Sequence, residues 1–90
     1  MSRQRNEVRE LPMVAVRIKT IRKKAGITQV QLANELGVSK GTVAMWEVGV
    51  RHPRTADVFK MAQLFHCRMD YIQGYSIDDR YYDYEMEFLL

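Results

Sequence analysis

The sequence predicts an all-α fold, a bundle of five short helices. Three observations carry this. Apolar residues recur at three- and four-residue spacings through most of residues 12–74. Gly26, Gly37, Gly49 and Gly74 stand where those stripes stop, the usual place for a helix-ending glycine. The links between stripes are only a few residues long, as in a helical bundle. Ninety residues suit one compact domain, and an apolar fraction of 47% is ordinary for a globular chain. A chain this short buries only about 60% of its unfolded surface, so a partner subunit is an expected source of further stability.

Residues 1–11 mix basic and acidic groups and read as an N-terminal arm. Arg3, Arg5 and Arg9 have the chemistry of a minor-groove arm, although an untethered tail is the commoner outcome. The first helical stripe follows Pro12, a residue suited to a first turn: Val14, Ile18, Ile21 and Ala25 share a face, with Arg17, Lys19, Lys23 and Lys24 mostly off it. Thr28 opens a second helix with Gln31 three residues on, a capping box in which each side chain accepts the other's backbone N–H. Leu32, Ala33 and Leu36 face inward. Ser39 caps a third helix over residues 40–48, with Val43 and Trp46 inward. The segment Arg51-His52-Pro53-Arg54 is a loop. A fourth helix over residues 55–65 repeats Val58, Met61, Ala62 and Phe65 at helical spacing, and a fifth over 69–73 turns Met69 and Ile72 inward before Gly74.

Residues 28–49 carry the functional signal. Two helices linked only through Gly37-Val38-Ser39 must cross steeply. Gly37 supplies a positive φ without a Cβ clash, Ala33 leaves room one turn back, and Leu32, Leu36, Val38, Val43 and Trp46 fill the wedge. The runs Gly26-Ile27-Thr28-Gln29, Leu32-Ala33, Leu36-Gly37-Val38-Ser39 and Trp46-Glu47-Val48-Gly49, in this order and spacing, resemble the phage-repressor (Cro-like, XRE) helix-turn-helix family. The resemblance spans residues 18–74. It implies a five-helix DNA-binding domain whose third helix enters the major groove, usually as a dimer on a near-palindromic operator.

Matched residue by residue, Gln29 resembles the family's phosphate-binding glutamine, supported by the Thr28 cap and the backbone N–H groups beside it. Ser39, Lys40, Gly41, Thr42 and Met45 lie at the start and on the exposed face of the third helix, where the family reads bases. Lys40 has the chemistry to donate to guanine, and Thr42 or Met45 to touch a thymine methyl. Arg51 and Arg54 are phosphate-binding candidates from the basic loop, which equally fits a solvated one. Arg22 and Glu47 match an ion pair tying the first helix to the third. Three residues depart from the pattern: Gly41 lacks a side chain at a reading position, His66 replaces a common glycine, and Arg68 replaces a usual cap residue.

Charge separates two regions. Residues 1–74 carry 13 Lys/Arg against 6 Asp/Glu, whereas residues 75–90 carry one Arg against five acids. A basic body suggests a polyanionic partner. No run approaches the roughly 18 apolar residues of a membrane span, and the polar first residues do not form a signal peptide, so the expected compartment is the cytoplasm. The single Cys67 agrees with a reducing interior and reads as a buried apolar residue. With His52 and His66 it forms no known metal-ligand spacing. No catalytic constellation is present, so neither an enzyme nor a cofactor is expected.

In the acidic tail, residues 75–90, Tyr82, Tyr84, Met86 and Phe88 alternate with Asp83, Glu85 and Glu87, a strand-like period of two. Tyr81, Tyr84 and Phe88 equally fit a helix face, and a frayed end is the third alternative. The sequence thus predicts a transcriptional regulator binding double-stranded DNA as a homodimer joined through its tail. The rival is an antitoxin-type interaction module whose tail holds a partner protein.

Overall fold

A computed structural model describes residues 10–78. The bundle runs α1 (Met13–Lys24), α2 (Gln29–Leu36), α3 (Lys40–Glu47), α4 (Thr55–Phe65) and α5 (Met69–Gln73), with no strand among the described residues. The expected strand at residues 82–88 and the arm arginines Arg3, Arg5 and Arg9 lie outside them.

The stripes close on one core. Ile18, Leu32, Val43, Trp46, Met61 and Ile72 are each at most 2% exposed, so every helix contributes at least one fully buried side chain. Burying each apolar side chain of this size is worth about 1.5–3 kcal/mol. Trp46 belongs to this core rather than to a base-stacking surface. Two expectations need correction. Ala25 is exposed, because α1 ends at Lys24 and Ala25 is already its C-cap, where the chain turns away. The buried side of α1 also includes Ala15 and Arg22, which the apolar stripe did not. The third helix stops at Glu47, and Val48 is its C-cap.

Caps set the helix starts. Pro12 is the N-cap of α1, and its carbonyl accepts from the N–H groups of Ala15 and Val16. The Thr28–Gln31 capping box forms as expected, with Thr28 N–H donating to Gln31 Oε1 at 2.8 Å and Gln31 N–H to Thr28 Oγ1 at 3.1 Å. Arg54, expected in the loop, is the N-cap of α4, and its backbone N–H donates to the buried Asp57 carboxylate at 3.2 Å.

The departures from the family pattern resolve locally. His66 takes the left-handed conformation that a glycine would occupy, at φ 54°. Arg68 caps α5 with extended backbone, and its guanidinium grips Asp70 at 2.9 and 2.7 Å, holding that carboxyl below the usual carboxylate range.

Both ends of the bundle are drawn together by close approach. A Cβ on Gly49 would lie 2.8 Å from Pro12 Cδ, and one on Gly74 would lie 2.6 Å from Met13 Cβ. Arg17 stacks over the Tyr71 ring at 4.0 Å and donates to the carbonyls of Tyr71 and Ser76, the latter at 2.9 Å. Tyr71 of α5 and Ser76 beyond it are thereby tied to α1.

Candidate nucleic-acid interface

The turn between α2 and α3 follows from its residues. Gly37 takes φ 71°, its N–H returns to Asn34 O, and the Val38 N–H returns to Ala33 O. The chain then re-enters a helix through Ser39, whose Oγ accepts the Thr42 N–H at 3.1 Å and pairs with the Thr42 hydroxyl at 2.9 Å. Lys60 of α4 reaches back to Leu36 O, capping the end of α2 at 3.4 Å. Val43 and Trp46 anchor α3 inward. The outward residues are Lys40 and Gly41, both exposed, with Thr42 and Met45 half-buried. These four, placed at reading positions by the sequence, lie on α3 away from the fully buried Val43. The Thr42 hydroxyl, however, is already engaged by Ser39.

Gly41 is not required by packing, since a Cβ there would meet only Ser39 Oγ, at 3.8 Å. The basic loop lies beside the start of α3. Arg51, His52 and Arg54 line one open cleft of 370 Å³ together with Ser39, Thr42, Trp46 and Asp57. Arg54 Nε is 3.4 Å from Asp57 Oδ2, and its side chain remains 81% exposed.

Thr28 and Gln29 stand at the other edge, at the start of α2. The first-turn N–H groups of any helix lack internal partners, and here the Thr28 hydroxyl takes that of Gln31. Behind them lies a buried polar tie. Arg22 Nε donates to Glu47 Oε2 at 2.6 Å, Arg22 Nη2 to Glu47 Oε1 at 3.0 Å, and Arg22 Nη1 to Ile27 O at 2.9 Å. The Arg22–Glu47 pair is therefore present, and it is two-pronged, the strong geometry for this pairing. Glu47 Oε1 also accepts from Gln29 Nε2 at 3.0 Å.

Burial opposes the Glu47 charge. The hydrogen bonds from Arg22 and Gln29 and the positive charges of Arg22 and Lys19 outweigh it, and the carboxyl is held below its ordinary range. The same hydrogen bond from Arg22 raises the arginine's own value against desolvation. No sequence signal marks the Gln29–Glu47 contact, which joins residues 18 apart in the chain. Asp57, in the first turn of α4, also escapes the sequence reading, although an acid three residues after a cap position is a recognisable pattern.

This arrangement matches known proteins. A family model described as "Helix-turn-helix" matches residues 18–72. The chain is 33% identical over 58 residues to the HTH-type transcriptional regulator ImmR of Bacillus subtilis, covering 64% of this chain and 46% of that protein. It thus spans about half the length of that relative. It is 35% identical over 54 residues to an uncharacterized HTH-type transcriptional regulator of Archaeoglobus fulgidus, covering 60% of this chain and 77% of that one. Among solved structures, the P22 c2 repressor in complex with synthetic operator 9T superposes with a TM-score of 0.66 at 26% identity, over 76% of this chain and 100% of that chain. A transcriptional regulator from Listeria innocua shares the fold, with a TM-score of 0.68 at 24% identity over 89% of this chain and 74% of that one. The family match runs from Ile18 in α1 to Ile72 in α5 and so includes residues of all five helices: the chain belongs to the XRE-type helix-turn-helix family.

Proposed function

We propose that the protein is a sequence-specific regulator of transcription that binds double-stranded DNA and acts as a dimeric repressor in the cytoplasm. The observation that carries this reading is α3 itself, buried through Val43 and Trp46 and open along Lys40, Gly41, Thr42 and Met45. A helix held this way presents side chains to the edges of bases in a major groove. On either side stand groups suited to phosphate: Thr28 and Gln29 at the start of α2, and Ser39, Arg51 and Arg54 beside the start of α3. The similarity to a repressor crystallised on its operator supports the same ligand class here. The family is one of DNA-binding regulators rather than enzymes.

The test is selection of bound sequences from random DNA at stated salt, followed by Lys40→Ala. The variant should lose about 1–3 kcal/mol on the preferred site and relax the preference at one base position. Equal loss on every sequence makes Lys40 a phosphate contact, and a chain that prefers no sequence removes the reading.

The dimer is supported by the chain end. Tyr75 and Ile77 are 80% and 93% exposed. The sequence that follows them contains Tyr81, Tyr82, Tyr84, Met86, Phe88, Leu89 and Leu90, side chains that suit a protein interface. Two third helices of such a dimer would stand about 34 Å apart, one turn of DNA, if they enter successive major grooves. A chain ended after Asp78 keeps the Arg17 contact to Ser76 and should become monomeric and lose most operator affinity. If it remains dimeric, the interface lies on the helices and the tail serves another protein, as in the antitoxin-type reading.

A further inference from the structure

One carboxylate reaches all three helices nearest the reading surface. Glu47 of α3 is 4% exposed; its Oε2 accepts from Arg22 of α1, and its Oε1 from both Arg22 and Gln29 of α2. An ionised carboxylate has no proton to give. It therefore takes only the nitrogen end of the Gln29 carboxamide, and the carbonyl oxygen is turned away. That nitrogen carries two hydrogens. One is bound to Glu47, and the carboxamide has no other partner among the described residues. A phosphate oxygen, like a carboxylate, only accepts. It is served by the second hydrogen of the same nitrogen and repelled by the carbonyl oxygen.

We infer that Glu47 is the positioning residue for the phosphate contact at the start of α2: by taking one hydrogen of Gln29 Nε2, it directs the other to the DNA backbone. The inference rests on the DNA-binding reading above and gives Glu47 a role beyond its pairing with Arg22. The carboxamide's terminal torsion is broad and roughly two-fold, so without an acceptor-only neighbour both ends of the amide sample the same place. Glu47 removes that choice before DNA arrives, which lowers the ordering cost of the contact. Its own charge does not repel the phosphate, because Arg22 neutralises it at 2.6 Å. Arg22 in turn gives three of its five N–H donors to Glu47 and Ile27 O, through Nε and Nη2 and through Nη1, and is buried with Glu47.

The experiment is a double-mutant cycle on a selected DNA fragment, using the full chain, Gln29→Met, Glu47→Gln and the two substitutions combined. Glu47→Gln keeps the size of the side chain but offers an N–H, which accommodates the Gln29 amide in the reversed orientation. It should lower affinity about tenfold with Gln29 present and less than about threefold in the Gln29→Met background, with the preferred sequence unchanged in all four. An equal factor in both backgrounds means that Glu47 acts only on the fold, and overturns the inference while leaving DNA binding intact.

Should Glu47→Gln fail to fold, the unsubstituted chain decides by NMR. The two Gln29 carboxamide protons should be well separated in the free protein, one displaced by Glu47, and the other should move on addition of DNA. A pair in which neither resonance responds to DNA overturns the inference. A chain that prefers no DNA sequence removes the underlying reading instead, and the binding selection shows this before any variant is made.

Discussion

The side built from α2 and α3 and the end where α1 begins and α5 finishes are held by different physics. On the first, hydrogen bonds do the positioning. Thr28 and Ser39 cap their helices, and the buried Arg22–Glu47–Gln29 tie fixes α1, α2 and α3 from behind. On the second, close steric approach dominates, with Met13 against Gly74 and Pro12 against Gly49, and one arginine tying carbonyls of the chain end to α1. The difference has a functional logic. Under the proposed function, the face that meets DNA is held from behind by a polar network. An end that need only close the bundle does so by contact. Substitutions on the two sides should therefore fail in different ways and by different amounts.

The largest effect is expected from Glu47→Ala. It leaves the Arg22 guanidinium, itself 8% exposed, buried beside no counter-charge. Removing one partner of a buried pair typically costs about 3–5 kcal/mol, read as a lower denaturation midpoint in urea. The same pair gives the domain an acid limit. The folded Glu47 carboxyl lies below its unfolded value of 4.5, so its stabilisation is fully present above that value and is lost as pH falls through the folded one. The unfolding midpoint should decline below about pH 4.5, and Glu47→Gln should flatten that decline. An equally steep decline in the variant would place the acid sensitivity in other carboxylates.

On the opposite end, Gly74→Ala should destabilise by about 1–3 kcal/mol. Its φ is 87°, and the added methyl would stand 2.6 Å from Met13 Cβ. The steric nature of this contact gives a sharp control. Met13→Ala retains the clashing Cβ and should not rescue the variant, whereas Met13→Gly should recover the clash but not the left-handed strain. Rescue by Met13→Ala would mean that only the end of the methionine side chain is in the way. Neither change touches the reading surface, so operator affinity per folded molecule should stay constant.

The two regions also differed in how far they were legible. Helix identities, the Thr28–Gln31 box, the Ser39 cap and the Val43–Trp46 anchor follow from neighbours within a few residues, and all stand as the sequence suggests. The Arg22–Glu47 pair was visible only through family resemblance, because nothing local pairs residues 25 apart. The Gln29–Glu47 hydrogen bond was invisible for the same reason. So was the fate of Arg17: a cation expected off the apolar stripe proves to sit over Tyr71 and bind two carbonyls. Ala25 illustrates the opposite error. Its spacing continues the α1 stripe, but the helix ends one residue earlier, and spacing alone does not say where the chain turns.

The smallest effect is the most diagnostic for the reading surface. Gly41 lies within α3, where glycine is disfavoured by about 1 kcal/mol relative to alanine. A Cβ there meets only Ser39 Oγ, at an ordinary contact distance of 3.8 Å, so the fold has no steric need of the glycine. Gly41→Ala should therefore stabilise the free domain, by up to about 1 kcal/mol in urea unfolding. Under the proposed function its DNA affinity should fall nonetheless if the bare backbone approaches the duplex closely, and stay unchanged if position 41 reads little. The two measurements moving in opposite directions distinguish a glycine kept for the ligand from one kept for the fold. A variant that is more stable and binds its preferred site as tightly as before would show that position 41 stands clear of the DNA, and would confine base reading to Lys40, Thr42 and Met45.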